Sequence, residues 1–454
     1  MRAVLKFLCL SMLFMCAMRL WQYYFIIRLQ IFDFLMLGFI LIYAVSLIAK
    51  RGRVALPTPG WRQVLIAKWL IMLISLLTVA QLNPELGPAS AQQFAKGILN
   101  LAIRTLGLTA LVLWAHECRG LDFRLLLRAY AGGAVLSSVY SFAEVGCAAA
   151  GHDLGKAIFT TLSVFPPDFD LSQPFYYPWD NFFRAVGFTG VNSQATYIAS
   201  VIPLLLVAGP FRRRWVNYFF AALCVAGTGL TLSRNGFFSL CLAAVFYIIM
   251  QPGLAVRLWP RVATALVPIL GLFLIFREPA TQLLETRLAS SAQELASSRT
   301  DIVQVVWPFA AAQPWFGYGV NQFSVIIAHP TLIDVSAITA KYPTKDEDWV
   351  RASYANVHNN WLNWLVEGGM LLVLANAASY GLLVRMCLRD RTRLGFVSAA
   401  TLLSLLVSGL FNMTLDLFST DLLFVLLPLC VTLESRDVRQ RMPVSNPALS
   451  PCPC

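Results

Sequence analysis

Apolar runs, each about 15–25 residues long, follow one another along almost the whole chain. Of the 454 residues, 58% are hydrophobic and only 13% are charged. A soluble domain would carry roughly a quarter charged residues, and it could not bury this much apolar surface in one core. Because a segment in lipid must satisfy its own backbone hydrogen bonds, runs of this length without alternation predict membrane-spanning helices. The predicted fold class is therefore an all-α integral membrane protein.

About twelve transmembrane helices are predicted, within a single polytopic domain that covers residues 1–454. The first run begins with the Arg2 and Lys6 of a signal peptide but lacks a small-x-small cleavage site, so it is interpreted as an uncleaved span. The predicted spans lie near residues 3–18, 31–49, 64–82, 98–115, 125–147, 192–209, 216–232, 236–250, 262–276, 360–385, 394–412 and 418–434.

The positive charges predict the orientation of these spans. The formal net charge is +12, and the basic residues lie in short loops rather than in a compact basic domain. They collect on one side of the alternating spans, which the positive-inside rule assigns to the cytoplasm. Both termini are therefore predicted to be cytoplasmic, and nucleic acid is not an expected partner.

Two loops on the opposite side are long, and loops of such length are usually functional or folded. The first covers residues 148–190. The second, residues 277–357, is predicted to be helical because TQLLETRLASSAQELASS has helical spacing. Residues 435–454 are a predicted cytoplasmic tail. The ten cysteines are scattered without metal-ligand spacing, so neither a metal site nor disulfides are expected.

Four polar motifs interrupt the apolar pattern, and all of them fall on the side of the long loops. The first, FRAVGFTGVNSQA (183–195), places Arg184 before a glycine-rich turn and Asn192 at a helix start. Its structural interpretation is an interfacial arginine followed by an N-cap asparagine.

In the second motif, TLSRNGFF (231–238), a tight turn keeps Arg234 near the membrane edge, where its guanidinium suits bidentate binding of a phosphate.

The third motif, SSRTDIVQVVWPFAAAQPWFGYGVNQF (297–323), begins with Arg299 and ends in a turn that contains proline and glycine. It suggests an amphipathic segment that brings a further arginine to the same side of the membrane. The structural alternative is a loop helix with a surface arginine.

The fourth motif, HNNWLNWLVEGG (358–369), begins with His358 where a helix is predicted to start near Asn359. The positive end of a helix dipole favours the neutral imidazole, which can accept a proton from a hydroxyl group. Glu367 lies deeper, where a carboxylate must be paired, hydrogen bonded or protonated. The structural alternatives are an interfacial histidine and a glutamate that braces an arginine or a backbone group.

Together the motifs indicate several cations and one neutral base on one membrane face. Arginines can neutralise a lipid-linked pyrophosphate leaving group while the histidine deprotonates an acceptor hydroxyl. This chemistry is a direct displacement at a sugar carbon, in which no metal ion has to stabilise the phosphates.

The four motifs, in this order, resemble the O-antigen ligase and O-antigen polymerase superfamily of bacterial membrane glycosyltransferases. They are similar to the family's Arg-Gly-Asn segment, its Ser-Arg-x-Gly turn, its Arg…Trp…Pro…Gly-x-Gly segment and its His-Asn…Leu…Glu-x-Gly segment. The resemblance covers roughly residues 180–385, and the first five spans resemble the family in hydropathy alone. One departure is Asn235, which stands before Gly236 where the family often has a second glycine after Ser-Arg.

The resemblance implies transfer of a glycan from undecaprenyl pyrophosphate to an acceptor at the periplasmic face of the bacterial inner membrane. It also implies that the reaction inverts the anomeric carbon and needs neither metal nor cofactor. By motif position, it implies His358 as the catalytic base, Arg184, Arg234 and Arg299 as pyrophosphate ligands, and Asn192, Asn359 and Glu367 as supporting residues.

The acceptor separates the members of this superfamily. A ligase transfers the glycan to lipid A-core, a polymerase transfers it to a second lipid-linked glycan, and some relatives glycosylate a protein. The single large loop before the histidine span favours a ligase, with a polymerase as the alternative. A flippase for lipid-linked glycans would instead place polar, broken segments near the bilayer midplane, whereas these motifs collect at one face. A membrane scaffold would give no reason for arginines and a histidine at four separate helix ends.

Overall fold

Long helices make up most of the structure, a computed structural model. It describes residues 1–16, 23–24, 28–29, 31–50, 52, 55–82, 87–118, 120–162, 177–179, 182–185, 191–251, 303–329, 335–340, 347, 359–410 and 418–441.

The helices follow the chain in three groups. The first comprises α1 (Arg2–Met15), α2 (Ile31–Ala49), α3 (Pro59–Leu77), α4 (Gly87–Glu117) and α5 (Phe123–Ala149). The second comprises α6 (Leu154–Leu162), α7 (Val191–Pro203), α8 (Arg214–Leu230) and α9 (Arg234–Met250). The third comprises α10 (Val303–Ala312), α11 (Phe323–Ala328), α12 (Ser336–Thr339), α13 (Asn360–Arg389), α14 (Arg393–Ser408) and α15 (Phe418–Arg441). A 3-10 turn, Thr78–Gln81, follows α3, and a π-helical turn, Leu204–Ala208, continues α7.

Two short antiparallel hairpins accompany the helices among the described residues, and the fold is all-α in class, as predicted. Strand β1 (Tyr23–Tyr24) pairs with β2 (Arg28–Leu29), and β3 (Tyr177–Trp179) pairs with β4 (Phe182–Arg184). Both hairpins are rich in aromatic residues, which favour extended backbone. The second hairpin lies in the first predicted long loop, where it leads the chain towards α7.

A helix lies over every predicted span except the one near 262–276, which falls outside the described residues. Among the helices that the structure describes, four are long and apolar enough to cross a membrane by length and composition: α2, α3, α4 and α13. Their outward faces, like that of α9, expose large apolar side chains such as Leu41, Ile66 and Ile249. Lipid is the natural environment of such surfaces. The chain is therefore a helical membrane protein, and the number of twelve spans stays a prediction.

Hydrogen bonds join one set of helix ends, here called the basic end because it carries Lys50, Arg62 and Arg389. At this end the Lys50 ammonium pairs with Glu117, which connects α2 to α4. The Trp61 indole donates to the Thr432 hydroxyl at 3.2 Å, which connects α3 to α15. Helix α15 continues to Arg441, into the predicted tail.

Other hydrogen bonds join the opposite set of ends, here called the motif end because the motif residues Asn192, Ser233 and Asn359 lie there. The Ser90 hydroxyl donates to Gln322 at 2.6 Å, which connects α4 to the segment before α11. Helices that cross a membrane in alternating directions place their ends on two opposite sides, as the basic end and the motif end are here. The assignment of the motif end to the periplasm stays a prediction.

Candidate functional site

The turn between α8 and α9 packs against the first turns of α7, so the first two motifs meet. The Ser233 hydroxyl donates to Asn192 Oδ1 at 2.7 Å, and Asn235 Nδ2 donates to the Thr196 hydroxyl at 2.9 Å. Asn192 is not an N-cap, because α7 begins at Val191; its side chain instead accepts from the neighbouring turn. Asn235, the departure from the family pattern, is buried and forms the second of these bonds.

Arg234 and Arg184 lie on neighbouring backbone segments at this contact. Arg234 is the first residue of α9, and its side chain is exposed. Arg184 ends β4, and the amide of the next residue, Ala185, donates to the Leu230 carbonyl at the end of α8 at 3.1 Å. The backbone of these two of the three predicted pyrophosphate ligands is therefore fixed at the motif end. The side chain of Arg184 lies outside the described residues.

Gly236 explains why α7 and α9 approach so closely behind Arg234. A Cβ atom at this position would lie 2.8 Å from the Ala195 Cβ and 2.9 Å from the Thr228 Cγ2. The Ala195 Cβ is bonded directly to the backbone of α7, so it cannot give way without moving that helix. The glycine of the second motif therefore sets the spacing of the helices that hold Arg234.

Asn359 caps α13, which confirms the helix start predicted for the fourth motif. Its Oδ1 accepts from the amide of Leu362 at 3.0 Å, and its backbone is extended, as an N-cap requires. His358 stands immediately before this cap and lies outside the described residues, as does Arg299. The roles of both residues stay predictions.

The C-terminal end of α14 joins the second motif to the fourth. The backbone amide of Asn360 donates to the Gly409 carbonyl at 2.8 Å, which holds the first turn of α13 in place. The hydroxyls of Ser239, on α9, and Ser408 lie 2.5 Å apart. Three motif-bearing segments are thus connected at one end of the bundle. Sequence reasoning missed Ser408 and Gly409, whose signal is a Ser-Gly pair at the end of an apolar run.

The third and fourth motifs meet in an interlock, formed by residues 314–319 and a break in α13 at residues 366–371. The amide of Tyr318 donates to the Val366 carbonyl at 2.8 Å, and the amide of Gly319 donates to the Glu367 carbonyl at 2.9 Å. In return, the Met370 amide donates to the Pro314 carbonyl at 2.7 Å. The loop thus supplies partners for backbone groups that the broken helix cannot satisfy itself.

The glycines of these two motifs make the interlock possible. Gly369 has φ 65° and ψ −167°, a conformation that is essentially restricted to glycine. A Cβ there would overlap the Trp315 carbonyl, and a Cβ at Gly317 would overlap the Val366 carbonyl oxygen. The centres of the Phe309 and Tyr318 rings lie 4.3 Å apart, and burial raises the pKa of the Tyr318 phenol. The Gly-x-Gly and Glu-x-Gly patterns therefore have a structural role.

Glu367 lines a cavity together with Lys68 and Arg104, and residues of the segment 320–324, which follows the interlock, line the same cavity. The role of Glu367 as a supporting residue stays a prediction. Among the residues described in the structure, there is no group of three or more His, Cys, Asp or Glu that could hold a metal ion.

The comparison with known families bears on the second, third and fourth motifs. Residues 219–377 match the family model described as O-antigen ligase. The match begins inside α8 and ends inside α13, so it includes the Arg234 turn and the interlock. It confirms the predicted resemblance to the O-antigen ligase and polymerase superfamily, whose members are glycosyltransferase-like enzymes. No curated protein matches the chain.

Proposed function

We propose that this relative of the O-antigen ligases transfers a glycan from undecaprenyl pyrophosphate to an acceptor hydroxyl at the periplasmic face of the bacterial inner membrane. The observation that carries the proposal is the connection of three motif segments at the motif end. Ser233 donates to Asn192, the hydroxyls of Ser239 and Ser408 share a hydrogen bond, and the backbone amide of Asn360 donates to the Gly409 carbonyl.

The leaving group binds at the start of α9. Arg234 stands at a helix N-terminus whose first turn contains no acidic residue. A cation at the positive end of a helix is destabilised by about 0.3–1 kcal/mol, whereas a bound anion gains from both the guanidinium and the helix end. Arg184 joins from the adjacent strand, and Arg299 completes the set of cations. A pyrophosphate is well matched to such a site because arginine binds phosphate oxygens in bidentate fashion.

The base precedes the cap of α13. His358 takes the proton from the acceptor hydroxyl, and the resulting oxygen attacks the anomeric carbon of the donor sugar. The bond between that carbon and the pyrophosphate oxygen breaks, and its electron pair leaves with undecaprenyl pyrophosphate. Attack from the face opposite the leaving group inverts the anomeric carbon. The arginines stabilise the charge that develops on the leaving oxygen.

Lipid A-core is the proposed acceptor, which makes the protein an O-antigen ligase; a polymerase that extends a second lipid-linked glycan is the alternative. A host deleted for this chain separates the two. Its lipopolysaccharide and its undecaprenyl-linked glycans are analysed by gel and mass spectrometry, with wild-type and His358→Ala complements. Long polymer stranded on undecaprenyl pyrophosphate, with bare lipid A-core, is expected for a ligase. Single repeats on lipid or on core would instead establish a polymerase.

A further inference from the structure

A cavity of about 390 Å³ lies between α3, α4, α13, α15 and the segment 320–324, towards the motif end of the bundle. Its wall combines apolar and polar side chains. The apolar part includes Leu101, Leu108 and Leu372. The polar part includes Lys68, Arg104, Asp421, Glu367, Asn100 and Asn363. A space with both characters suits an amphiphilic ligand, whose head group needs polar partners and whose chain needs apolar ones.

Two cations in this cavity share one carboxylate. Lys68 Nζ lies 3.8 Å from Asp421 Oδ1, and Arg104 Nη1 lies 3.5 Å from Asp421 Oδ2. Direct charge-assisted hydrogen bonds are shorter, about 2.7–2.9 Å. The Tyr380 hydroxyl also donates to Asp421 Oδ1, at 3.1 Å. Asp421 therefore has three partners, and Lys68 Nζ also lies 4.7 Å from the centre of the Tyr380 ring.

The position of these cations is costly. Lys68 and Arg104 lie well inside α3 and α4, two helices with the length and composition of membrane spans. An ionisable side chain at such depth normally marks a ligand or ion site. The side chain of Arg104 is 30% exposed, against 11% for Lys68 and 14% for Asp421. Arg104 is thus the most exposed side chain of these three.

We infer that this cavity binds the phosphate group of an amphiphilic lipid. Arg104 and Lys68 contact the phosphate oxygens, and Asp421 lies between the two cations and balances part of their charge. The apolar wall at Leu101 and Leu108 receives the first part of the lipid chain. The proposed function supplies lipids of this chemistry as donor and as acceptor. The inference rests on that function for the identity of the lipid, and not for the binding itself.

The competing explanation is a structural ion network, because Lys68, Arg104, Asp421 and Glu367 sum to zero charge when all are ionised. Removing one cation alone would leave a buried carboxylate uncompensated and would destabilise the fold under either explanation. The double substitution Arg104→Gln/Asp421→Asn avoids this problem, since it removes one charge of each sign. If the four charged groups form only a structural network, the double variant should fold and its lipid binding should be unchanged. If the cavity is a phosphate site, the double variant lacks its most exposed hydrogen-bond donor, and binding should weaken.

The experiment measures lipid binding to the purified full-length chain in detergent by native mass spectrometry. The probes are undecaprenyl phosphate, undecaprenyl pyrophosphate and lipid A, and thermal unfolding is recorded for each variant. Arg104→Gln/Asp421→Asn is expected to melt like the wild type and to bind at least one probe about tenfold more weakly or worse. Should this variant lose its native melting transition, Lys68→Gln/Asp421→Asn takes its place with the same expectation.

Arg436→Gln is the matched control, because it removes a cation from a second cavity, of about 460 Å³, at the basic end. It is expected to bind all three probes like the wild type. Weakened binding of the undecaprenyl lipids identifies the donor side, and weakened binding of lipid A identifies the acceptor side. All variants are compared in the Arg234→Gln background, so that the proposed pyrophosphate site at the start of α9 does not contribute, and unchanged binding of every probe by the balanced double variant would overturn the inference. Failure of glycan transfer with phosphate binding intact would overturn the proposed function alone.

Discussion

Substitution of Gly369 by alanine tests whether the interlock holds the third and fourth motifs together. The residue has φ 65° and ψ −167° inside α13, and a side chain in that region costs about 1–3 kcal/mol of backbone strain. The added methyl group would also overlap the Trp315 carbonyl. If the loop moves away to relieve the overlap, the bond from Met370 to Pro314 is lost, at about 1 kcal/mol. We therefore expect a destabilisation of about 2–4 kcal/mol.

The assay is thermal unfolding of the purified protein in detergent, followed by tryptophan fluorescence, with limited proteolysis as a second measurement. Gly381→Ala is the matched control, because it lies in the same helix and a Cβ there meets no atom within 4 Å. Alanine replaces glycine in a helix at no cost, so the control should melt at or above the wild-type temperature. Gly369→Ala should melt earlier and should be cleaved faster near residues 314–319. Equal melting and cleavage of the two variants would refute the structural role of Gly369.

Three further substitutions test the contacts that position the site. Ser233→Ala removes the bond to Asn192; we expect a loss of about 1 kcal/mol and a lower kcat/KM for transfer, and unchanged values in both assays would contradict this positioning role. Asn359→Ala removes the cap of α13 at about 0.5–2 kcal/mol, and Asn359→Ser should restore most of the melting temperature; equal melting of both variants would argue against capping. Gly236→Val should abolish transfer by forcing α7 and α9 apart, and wild-type activity would show that their spacing is not required.

The sequence predicted the positions of the helices well, because an apolar run in lipid must form its own hydrogen bonds wherever it lies. The ends of the helices were predicted less well. The predicted span began near residue 98, whereas α4 begins at Gly87. Its polar first turns are held from outside, since Gln322 accepts from Ser90 at 2.6 Å and Asn321 donates to Gln93 at 3.0 Å. Such tertiary contacts leave no trace in hydropathy.

The motifs were recognised from the sequence, but their connections were not. The bond between Ser233 and Asn192 joins residues 41 positions apart, and a single sequence contains no record of that pairing. The glycines of the third and fourth motifs were noted as part of a pattern. The reason for these glycines appears only in the structure, where Gly317 lies against the backbone of Val366 and Gly369 lies against the backbone of Trp315. The cavity between Lys68 and Arg104 was missed because each residue stands alone in its own apolar run.

The most direct test of the proposed function is the release of undecaprenyl pyrophosphate by the purified chain, given a lipid-linked glycan and lipid A-core. The wild type should release one undecaprenyl pyrophosphate for each glycan transferred. His358→Ala and Arg234→Gln should each lose most of this activity while keeping the wild-type melting temperature. Arg212→Gln, at an exposed arginine near the basic end, is the matched control and should retain it. Transfer by His358→Ala and Arg234→Gln at the wild-type rate would contradict the assignment of base and leaving-group site.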